Sequence, residues 1–367
     1  MNQRDIVQRR LAGQDLVAPP ITTPVDVVRR LGAVQAQDYS GAKWAIGLRS
    51  RNLVDATVER AMADGSIIRT HVLRPTWHFV APADIRWMLA LTAPRVKATM
   101  ASYDRKLELD DAVFRRSNAA ITRALRDGAQ LTRSELADAL RRARVDVTGS
   151  QRLAHLVARA ELDGVVCSGA PRGKKFTYAL LEERVPPARA LDRDEALLEL
   201  TTRYFATRGP ATMKDFAWWS GLTVADATRG LQMAGQVLEN DVMDGSRYWF
   251  DASAPPRRAP RMRSPASHLL PNYDEYFIGH KDRRAIGARL ASTAIVTGGS
   301  ALISNVIVID GQLVGGWKRT LLKDSAIVEA SLLARLTARE VGAVSAAARA
   351  YGKFLGVPVE LRGLRAS

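Results

Sequence analysis

The fold is decided by residues 131–181, LTRSELADALRRARVDVTGSQRLAHLVARAELDGVVCSGAPRGKKFTYALL. Thr132 and Glu135, three residues apart, form a capping box, which predicts that a short helix begins here. After a turn through Gly149, apolar residues recur at helical spacing and predict a second helix. Two β-rich runs, VVCSG and TYALL, flank the basic turn APRGKKF and predict a β-hairpin. Helix, turn, helix and hairpin is the order of a winged-helix unit.

The same order recurs in two other parts of the chain. About 75 residues later, TMKDFAWWSGL and TVADATRGLQMAG predict two helices, and QVLENDVMDGSRYWF predicts two strands joined at Asp244-Gly245. Near the N-terminus, TPVDVVRRLG and VDATVERAMADG predict two helices, and IIRTHVLRPTWHFV predicts a pair of strands split at Arg74-Pro75. We therefore predict an α+β fold, mainly α, with tandem winged-helix units (helix-turn-helix plus β-hairpin wing). Trp218 and Trp219 in the later unit are predicted to lie in its core.

These units predict four sequential domains. Residues 1–90 form a first winged-helix-like domain, residues 91–188 hold linking helices and a second winged-helix domain, and residues 189–252 form a third. Residues 253–367 are a linker and a C-terminal domain, because DASAPPRRAPRMRSP is rich in Pro and lacks apolar periodicity. Two β-rich runs and a long helical segment predict that the C-terminal domain is a small α/β or β-barrel-like one.

Charge and composition narrow the class of protein. The chain carries 54 Lys+Arg against 38 Asp+Glu, a formal net charge of +16, which favours an anionic partner such as nucleic acid. Codon bias toward Arg would spread this charge evenly. Instead, residues 91–190 carry 19 basic and 12 acidic side chains, and residues 191–255 carry 6 and 10. The single Cys167 excludes a disulfide framework and a Cys-rich zinc site.

Several sequence signals are absent. The N-terminus lacks an apolar signal-peptide core and no stretch is long and apolar enough to span a membrane, so we predict a cytoplasmic, nucleoid-associated protein without membrane contact. No Walker A loop, strand-linked GxGxxG, HExxH, paired CxxC or G-x-S-x-G occurs. A nucleotide-dependent enzyme or a metalloenzyme is therefore not expected.

The most unusual short segment is GAVQAQDYSGAKW, residues 32–44. Gly32 ends the preceding predicted helix, so the chain should then run extended. In an extended chain Gln35 and Gln37 project from one face, and two neighbouring amides can hold a water molecule in a fixed orientation. Asp38 could accept a proton but should face away from the pair. Alternatively, the two glutamines only hydrogen-bond a loop.

The order of these motifs is more specific than any one of them. The three predicted units, the QAQ segment, RTHVLRPTWHFV and LLPNYDEYFIGHKDR together resemble the AlkZ/YcaQ family of winged-helix DNA glycosylases over essentially the whole chain. In that family a Q-aliphatic-Q or Q-aliphatic-D motif is catalytic. The resemblance therefore implies catalytic roles for Gln35 and Gln37 on either side of Ala36.

The resemblance also implies a substrate. Family members excise alkylated purines, especially N7-alkylguanine, and some unhook interstrand crosslinks. The implied partner is double-stranded DNA containing alkylated bases, bound by a monomer without a cofactor or a metal. A purine alkylated at N7 is already cationic, so its departure needs no general acid. Neutral amides that position water near C1′ and face the developing sugar cation are sufficient.

Further residues are predicted to contact DNA. RTHVLRPTWHF, residues 69–79, suits a hairpin near the lesion, although Trp77 is equally well explained as a core aromatic and Phe79 is expected in the core. The wing APRGKKF and one face of the second helix suit phosphate contacts. Asp274 and Glu275 are adjacent carboxylates that seldom converge, so no catalytic role is assigned to them. The predicted contacts are Lys43, Arg69, His71, Arg74, Trp77, His78, Arg152, Arg159, Arg172, Lys174, Lys175, Lys281 and Arg283.

A non-enzymatic winged-helix DNA-binding protein or transcriptional regulator is the alternative. Gln151 and Arg152 at the start of a recognition helix could read base edges. Three unequal units, however, do not supply the two-fold symmetry that a palindromic site requires. The enzyme is therefore the preferred interpretation.

Overall fold

The structure is a computed structural model that describes residues 1–17, 20–251, 265–290 and 305–364. Helices in the N-terminal segment begin where the sequence supplies a cap. Asn2 and Asp5 form a capping box at the first helix, and the Thr23 side chain accepts a hydrogen bond at the second, which ends at Gly32 with φ 78°. The elements are α1 (Gln3–Gly13), α2 (Pro24–Leu31), β1 (Val34–Gln35), α3 (Tyr39–Leu48), α4 (Asp55–Asp64), β2 (Ile68–Val72) and β3 (Arg74–Val80).

The strands β2 and β3 pair antiparallel, as the sequence predicted, but their turn was misplaced. Leu73, with φ 63°, makes the turn, and Arg74-Pro75 belongs to β3. Gly221 lies against this turn with φ 70°, and a Cβ there would be 2.2 Å from the Leu73 carbonyl oxygen. Only glycine therefore fits at this position. Phe79 is fully buried, which confirms its predicted place in the core.

The middle segment confirms the helix, helix and hairpin order. Thr132 and Glu135 form the predicted capping box, and β5 and β6 pair antiparallel. A cluster that includes Phe114, Leu136 and Leu156 forms the hydrophobic core here. The elements are α5 (Pro82–Lys106), α6 (Asp111–Leu125), β4 (Leu131–Thr132), α7 (Arg133–Arg142), α8 (Ser150–Leu162), β5 (Val166–Ser168), β6 (Thr177–Leu180) and α9 (Leu181–Arg184).

The next segment repeats this order. Thr223 caps its second helix, and the predicted Asp244-Gly245 turn, with φ 48° and 72°, joins its two antiparallel strands. Trp219 is fully buried as predicted, but Trp218 is 46% exposed, so its predicted core position was wrong. The elements are α10 (Arg193–Arg208), α11 (Met213–Ser220), α12 (Val224–Met233), β7 (Leu238–Met243) and β8 (Ser246–Asp251).

The C-terminal segment contains one open sheet of five strands in the order β13-β12-β11-β10-β9. The pairing of β12 with β13 is parallel and the others are antiparallel. The α/β alternative therefore describes this segment, and the barrel-like alternative was wrong. The elements are β9 (Ser267–Leu270), α13 (Glu275–Ile278), β10 (Val306–Ile309), β11 (Gln312–Leu321), β12 (Ala326–Leu332), α14 (Ala338–Leu355) and β13 (Val359–Arg362).

The chain packs into two compact units. Unit 1 contains residues 1–58, 198–219 and 223–367, and unit 2 contains residues 59–197 and 220–222. About half of the chain is helical, and the strands form several small sheets, in agreement with an α+β class. The four sequential domains stay a prediction, because the two units follow spatial packing and not the order of repeated elements.

Candidate active site and DNA contacts

The QAQ segment lies in the short connection between α2 and α3, in unit 1. Gln35 is the last residue of β1 and is 7% exposed, whereas Gln37 is exposed. Ala36 between them is fully buried. Because β1 ends before Gln37, the shared face of the two amides stays a prediction.

A buried carboxylate holds the backbone of this segment. Glu275 Oε1 accepts a hydrogen bond of 2.9 Å from the Gln35 backbone N–H. Its Oε2 accepts hydrogen bonds from Arg208 Nη2 at 2.6 Å and from Trp219 Nε1 at 2.8 Å. The side chains of Glu275 and Arg208 are both fully buried. The carboxylate therefore links the QAQ segment to α10 and α11.

The same arginine binds the chain on both sides of Gly32. Arg208 Nη1 donates to the Leu31 carbonyl at 2.9 Å, and Nη2 donates to the Ala33 carbonyl at 3.2 Å. Arg208 therefore accommodates the carbonyl of Leu31 at the end of α2, where the helical ladder supplies no further N–H, and the carbonyl of Ala33 just beyond it. We call Arg208 and Glu275 the buried clamp.

The neighbouring carboxylate, Asp274, points to a different arginine. Arg49 donates from Nη1 and Nη2 to the two oxygens of Asp274, both at 2.8 Å, and also from Nη2 to Gln14 Oε1 at 2.7 Å. Asp274 also caps α13. The adjacent carboxylates therefore do not converge on one target, and each is neutralised by its own buried arginine.

Asp38 is also engaged. Its two carboxylate oxygens accept hydrogen bonds of 2.7 and 2.8 Å from Arg319 Nη2 on β11. Its Oδ1 accepts a third, of 3.1 Å, from the Gly41 N–H, so Asp38 is the N-cap of α3. The sequence did not predict α3. Asp38 is thus both the capping residue of α3 and an ion-pair partner, and its carboxylate oxygens are occupied by Arg319 and the Gly41 N–H.

Lys43 lies on α3 and is buried, in an ion pair with the partly exposed Asp55. Its Nζ is 2.8 Å from Asp55 Oδ2, and the residue is 5% exposed. A phosphate contact by Lys43 would require this pair to open.

The predicted residues of the β2–β3 hairpin lie in unit 2. Arg69 is 4.3 Å from the Trp77 ring, and the His71 ring is 4.6 Å from the same ring. His71 Nδ1 pairs with buried Glu161, which also accepts a hydrogen bond from Trp77 Nε1 at 3.3 Å. Arg69, His71 and Trp77 thus lie in one cluster, and His78 is fully buried. Arg74 is partly exposed.

The two predicted DNA-contacting arginines of the middle segment already have partners within the protein. Arg152 donates to the carbonyls of Asp146 and Leu107, and Arg159 pairs with Asp163 and lies over the Phe114 ring. Both lie on α8, as predicted.

The wing itself presents three cations. Arg172 donates to Glu135 at 2.8 Å. Hydrogen bonds from Thr132 and then from Arg172 lower the pKa of Glu135 to about 2. Lys174 and Lys175 are exposed beside Gly173 at the tip of the turn. These two ammonium groups are the wing charges most accessible to phosphate.

Lys281 and Arg283 lie in unit 1, beside the α11 N-terminus. Arg283 Nε donates to the Phe277 carbonyl at 2.9 Å, and its guanidinium lies 4.5 Å from the Phe277 ring. Lys281 is exposed, and its backbone N–H donates to Asp215 at 2.8 Å. Both residues line a pocket.

The buried thiol and one buried imidazole are poorly suited to catalysis. Burial raises the pKa of the Cys167 thiol to about 12 and disfavours a thiolate nucleophile. Burial lowers the pKa of His280 to about 3, so its imidazole is neutral near pH 7. Within the described ranges, no group of three or more His, Cys, Asp or Glu is arranged to hold a metal ion. No helix in the described part of the chain is long and apolar enough to cross a membrane.

Sequence reasoning did not find Arg208, Arg49 or Arg319. Each lies far along the chain from its carboxylate, and no local motif distinguishes it from the other arginines. Glu275 was noted, but its hydrogen bond to the QAQ segment was not.

The chain is similar to known DNA glycosylases over nearly its full length. The family described as DNA glycosylase AlkZ-like matches residues 28–354. An interstrand DNA cross-link repair glycosylase of Streptomyces sahachiroi is 26% identical over 325 residues, 86% of this chain and 87% of that protein. The solved structure of Streptomyces sahachiroi DNA glycosylase AlkZ has a TM-score of 0.80 at 25% identity, covering 98% of this chain and 99% of that chain.

These matches favour the enzyme over a non-enzymatic regulator. The family match begins before the QAQ segment and ends within α14, so it includes both members of the buried clamp. The chain belongs to the AlkZ-like family of DNA glycosylases and is a glycosylase that acts on DNA.

Proposed function

We propose that the enzyme hydrolyses the N-glycosidic bond of alkylated purines of the N7-alkylguanine type in double-stranded DNA. Gln35 and Gln37 position the water that attacks C1′. Crosslinked purines are included, because the Streptomyces sahachiroi relative is named for interstrand cross-link repair. The single observation that carries the proposal is the QAQ backbone held by the buried Glu275 carboxylate.

The chemistry fits two neutral side chains. The alkylated base carries a positive charge that it loses as it leaves, so the bond breaks without protonation. The sugar then gains positive charge, and amide oxygens fixed in advance can stabilise it and orient the attacking water, which releases its proton to solvent once its oxygen is bonded to C1′. A fixed backbone at Gln35 places one amide, and the exposed side chain of Gln37 is accessible to water.

The nearby carboxylates support this assignment. A general acid or base must exchange a proton with the substrate or with water. Asp38, Asp274 and Glu275 each accept hydrogen bonds from an arginine, and Asp274 and Glu275 are buried. Their contacts suit structural roles, so we assign the positioning of water at the reacting centre to the two glutamines.

We also propose that the helix, helix and hairpin segments are winged-helix units in the four sequential domains given above. The order α7, α8, β5, β6 and the order α11, α12, β7, β8 support this, as does the capping box at Thr132 and again at Thr223. A structure of the enzyme on DNA tests it, since the wings should then lie beside the phosphate backbone. The monomeric state and the cytoplasmic, nucleoid-associated location stay predictions.

The DNA contacts named from the sequence stay proposals, and the wing allows the clearest test. Replacing Lys174 and Lys175 with glutamine should weaken binding to undamaged duplex DNA. The slope of log K against log salt should fall by about 0.9 for each lysine that contacts a phosphate. Fluorescence anisotropy at several salt concentrations measures this. Lys106→Gln, an exposed lysine at the end of α5, is the matched control, and equal slopes for all variants would contradict the contact.

The proposed function itself is tested by product release. The wild-type enzyme, incubated with duplex DNA containing 7-methylguanine, should release the free base and leave an abasic site. A duplex with an interstrand crosslink through guanine N7 should separate after incubation. Chromatography of the released base and denaturing electrophoresis measure the two reactions. Release from neither substrate would contradict the proposed substrate class.

A further inference from the structure

A pocket of about 620 Å³ opens in unit 1 beside the first turn of α11. The turn between β7 and β8 and the segment after α13 complete its wall. None of its residues belongs to the QAQ segment or the buried clamp. The lining residues are Thr212, Met213, Lys214, Asp215, Gly245, Ser246, Arg247, Trp249 and 281–284.

The lining has a strong excess of positive charge. Five of its side chains are basic and two are acidic. Lys214 and Lys281 are exposed, and in the part of the chain that the structure describes neither ammonium group lies within ion-pair distance of a carboxylate. The basic side chains are Lys214, Arg247, Lys281, Arg283 and Arg284.

The two carboxylates do not cancel this charge. Asp215 is 1% exposed and accepts four hydrogen bonds. Two come from the backbone N–H and hydroxyl of Thr212, at 2.9 and 2.8 Å, and two from the backbone N–H groups of Lys281 and Asp282, at 2.8 and 3.0 Å. Asp282 pairs with Arg284 at 2.7 Å. Asp215 therefore fixes the chain that carries Lys281, and its oxygens are already occupied by these hydrogen bonds.

One wall of the pocket is apolar. Trp249 is partly exposed on β8, and its backbone is held by two hydrogen bonds with Ala211, at 2.8 and 3.0 Å. Met213 lies on the same lining. A flat aromatic surface beside exposed ammonium groups suits a base or sugar whose phosphate binds those ammonium groups. The pocket volume is also in the range of small-ligand sites.

We propose that this pocket binds a nucleotide unit, with the phosphate on Lys214 and Lys281 and the base or sugar against Trp249. The nucleotide comes either from the bound DNA strand or from a free nucleotide. The proposal rests on the proposed function only in expecting DNA to be the source. It requires no base excision at the pocket.

The test is equilibrium binding of undamaged DNA to the full-length enzyme. The double variant Lys214→Gln, Lys281→Gln should bind labelled duplex about tenfold or more weakly near 0.1 M salt. The slope of log K against log salt should fall by about 1.8, or 0.9 for each lost phosphate contact. The matched control, Lys106→Gln with Lys353→Gln, removes two exposed lysines outside the pocket.

The aromatic wall gives a second readout. Trp249→Leu should weaken binding of a single-stranded oligonucleotide about tenfold, and Trp249→Phe, which keeps an aromatic face, should restore most of it. Loss of binding in both variants together with a large drop in melting temperature would identify a folding defect. In that case the DNA affinity and salt slope of the Lys214→Gln, Lys281→Gln variant test the proposal.

Calorimetric titration with deoxyadenosine monophosphate and with inorganic phosphate separates the two sources. A lower DNA slope without free-nucleotide binding supports the DNA strand, and nucleotide binding lost in the lysine variant supports the free nucleotide. Unchanged DNA slopes and no nucleotide binding would overturn the proposal. Because no excision is measured, failure of base release would contradict the proposed function and leave this result unaffected.

Discussion

Replacing both Gln35 and Gln37 with alanine should lower the single-turnover rate of 7-methylguanine release from duplex DNA by at least about 10²–10³-fold. Removing one fixed dipole that faces charge in a transition state costs about this much in other enzymes. Two such groups that act together are not additive, so each single variant should lose most of the rate. DNA affinity should change little, because neither side chain is charged.

The control for this prediction is Gln232→Ala, which removes an exposed glutamine on α12. It should release base at the wild-type rate. Melting temperatures equal to that of the wild type would show that a lower rate does not come from a folding defect. If the double variant releases 7-methylguanine as fast as the wild type, the assignment of catalysis to the QAQ segment is wrong.

Replacing Glu275 with glutamine should lower the free energy of unfolding by about 3–5 kcal/mol. The variant leaves the fully buried Arg208 guanidinium without its counter-charge, and the loss of one partner of a buried ion pair typically costs this much. In either orientation the new amide also turns its NH₂ donor toward groups that now donate to the carboxylate: Arg208 and Trp219 in one orientation, and the Gln35 N–H in the other. Chemical denaturation followed by tryptophan fluorescence measures the change.

An exposed carboxylate provides the comparison. Glu329 lies on β12 and is exposed, so Glu329→Gln should change stability by less than about 0.5 kcal/mol. A loss below about 1 kcal/mol in Glu275→Gln would show that the buried clamp contributes little to the fold. It would also remove the main support for a fixed QAQ backbone.

Local sequence patterns predicted most of the helices and turns correctly. The capping box at Thr132 and Glu135 and the Asp244-Gly245 turn occur where the sequence placed them. Each of these depends on residues within a few positions, since caps and turn conformations are satisfied locally. Errors arose where local signals were ambiguous. Asp38 was interpreted as a candidate proton acceptor and not as the cap of α3, and the hairpin turn was placed one residue late.

The sequence predicted the QAQ segment of the candidate site but not the residues that hold it. The QAQ segment could be found because its residue types and spacing are unusual, and the motif order indicated the family. Nothing local linked Gln35 to Glu275, which lies 240 positions away, or showed that Arg208 binds the carbonyls of Leu31 and Ala33.

The sequence by itself therefore determined the order of the helices and hairpins apart from α3, the positive charge and the candidate catalytic pair. Tertiary structure decided which lysine side chains are accessible to phosphate. It buried Lys43 in an ion pair with Asp55 and left Lys174, Lys214 and Lys281 exposed. The physical reason is that helix caps and turns depend on near neighbours, whereas burial and ion pairing depend on which distant segments pack together.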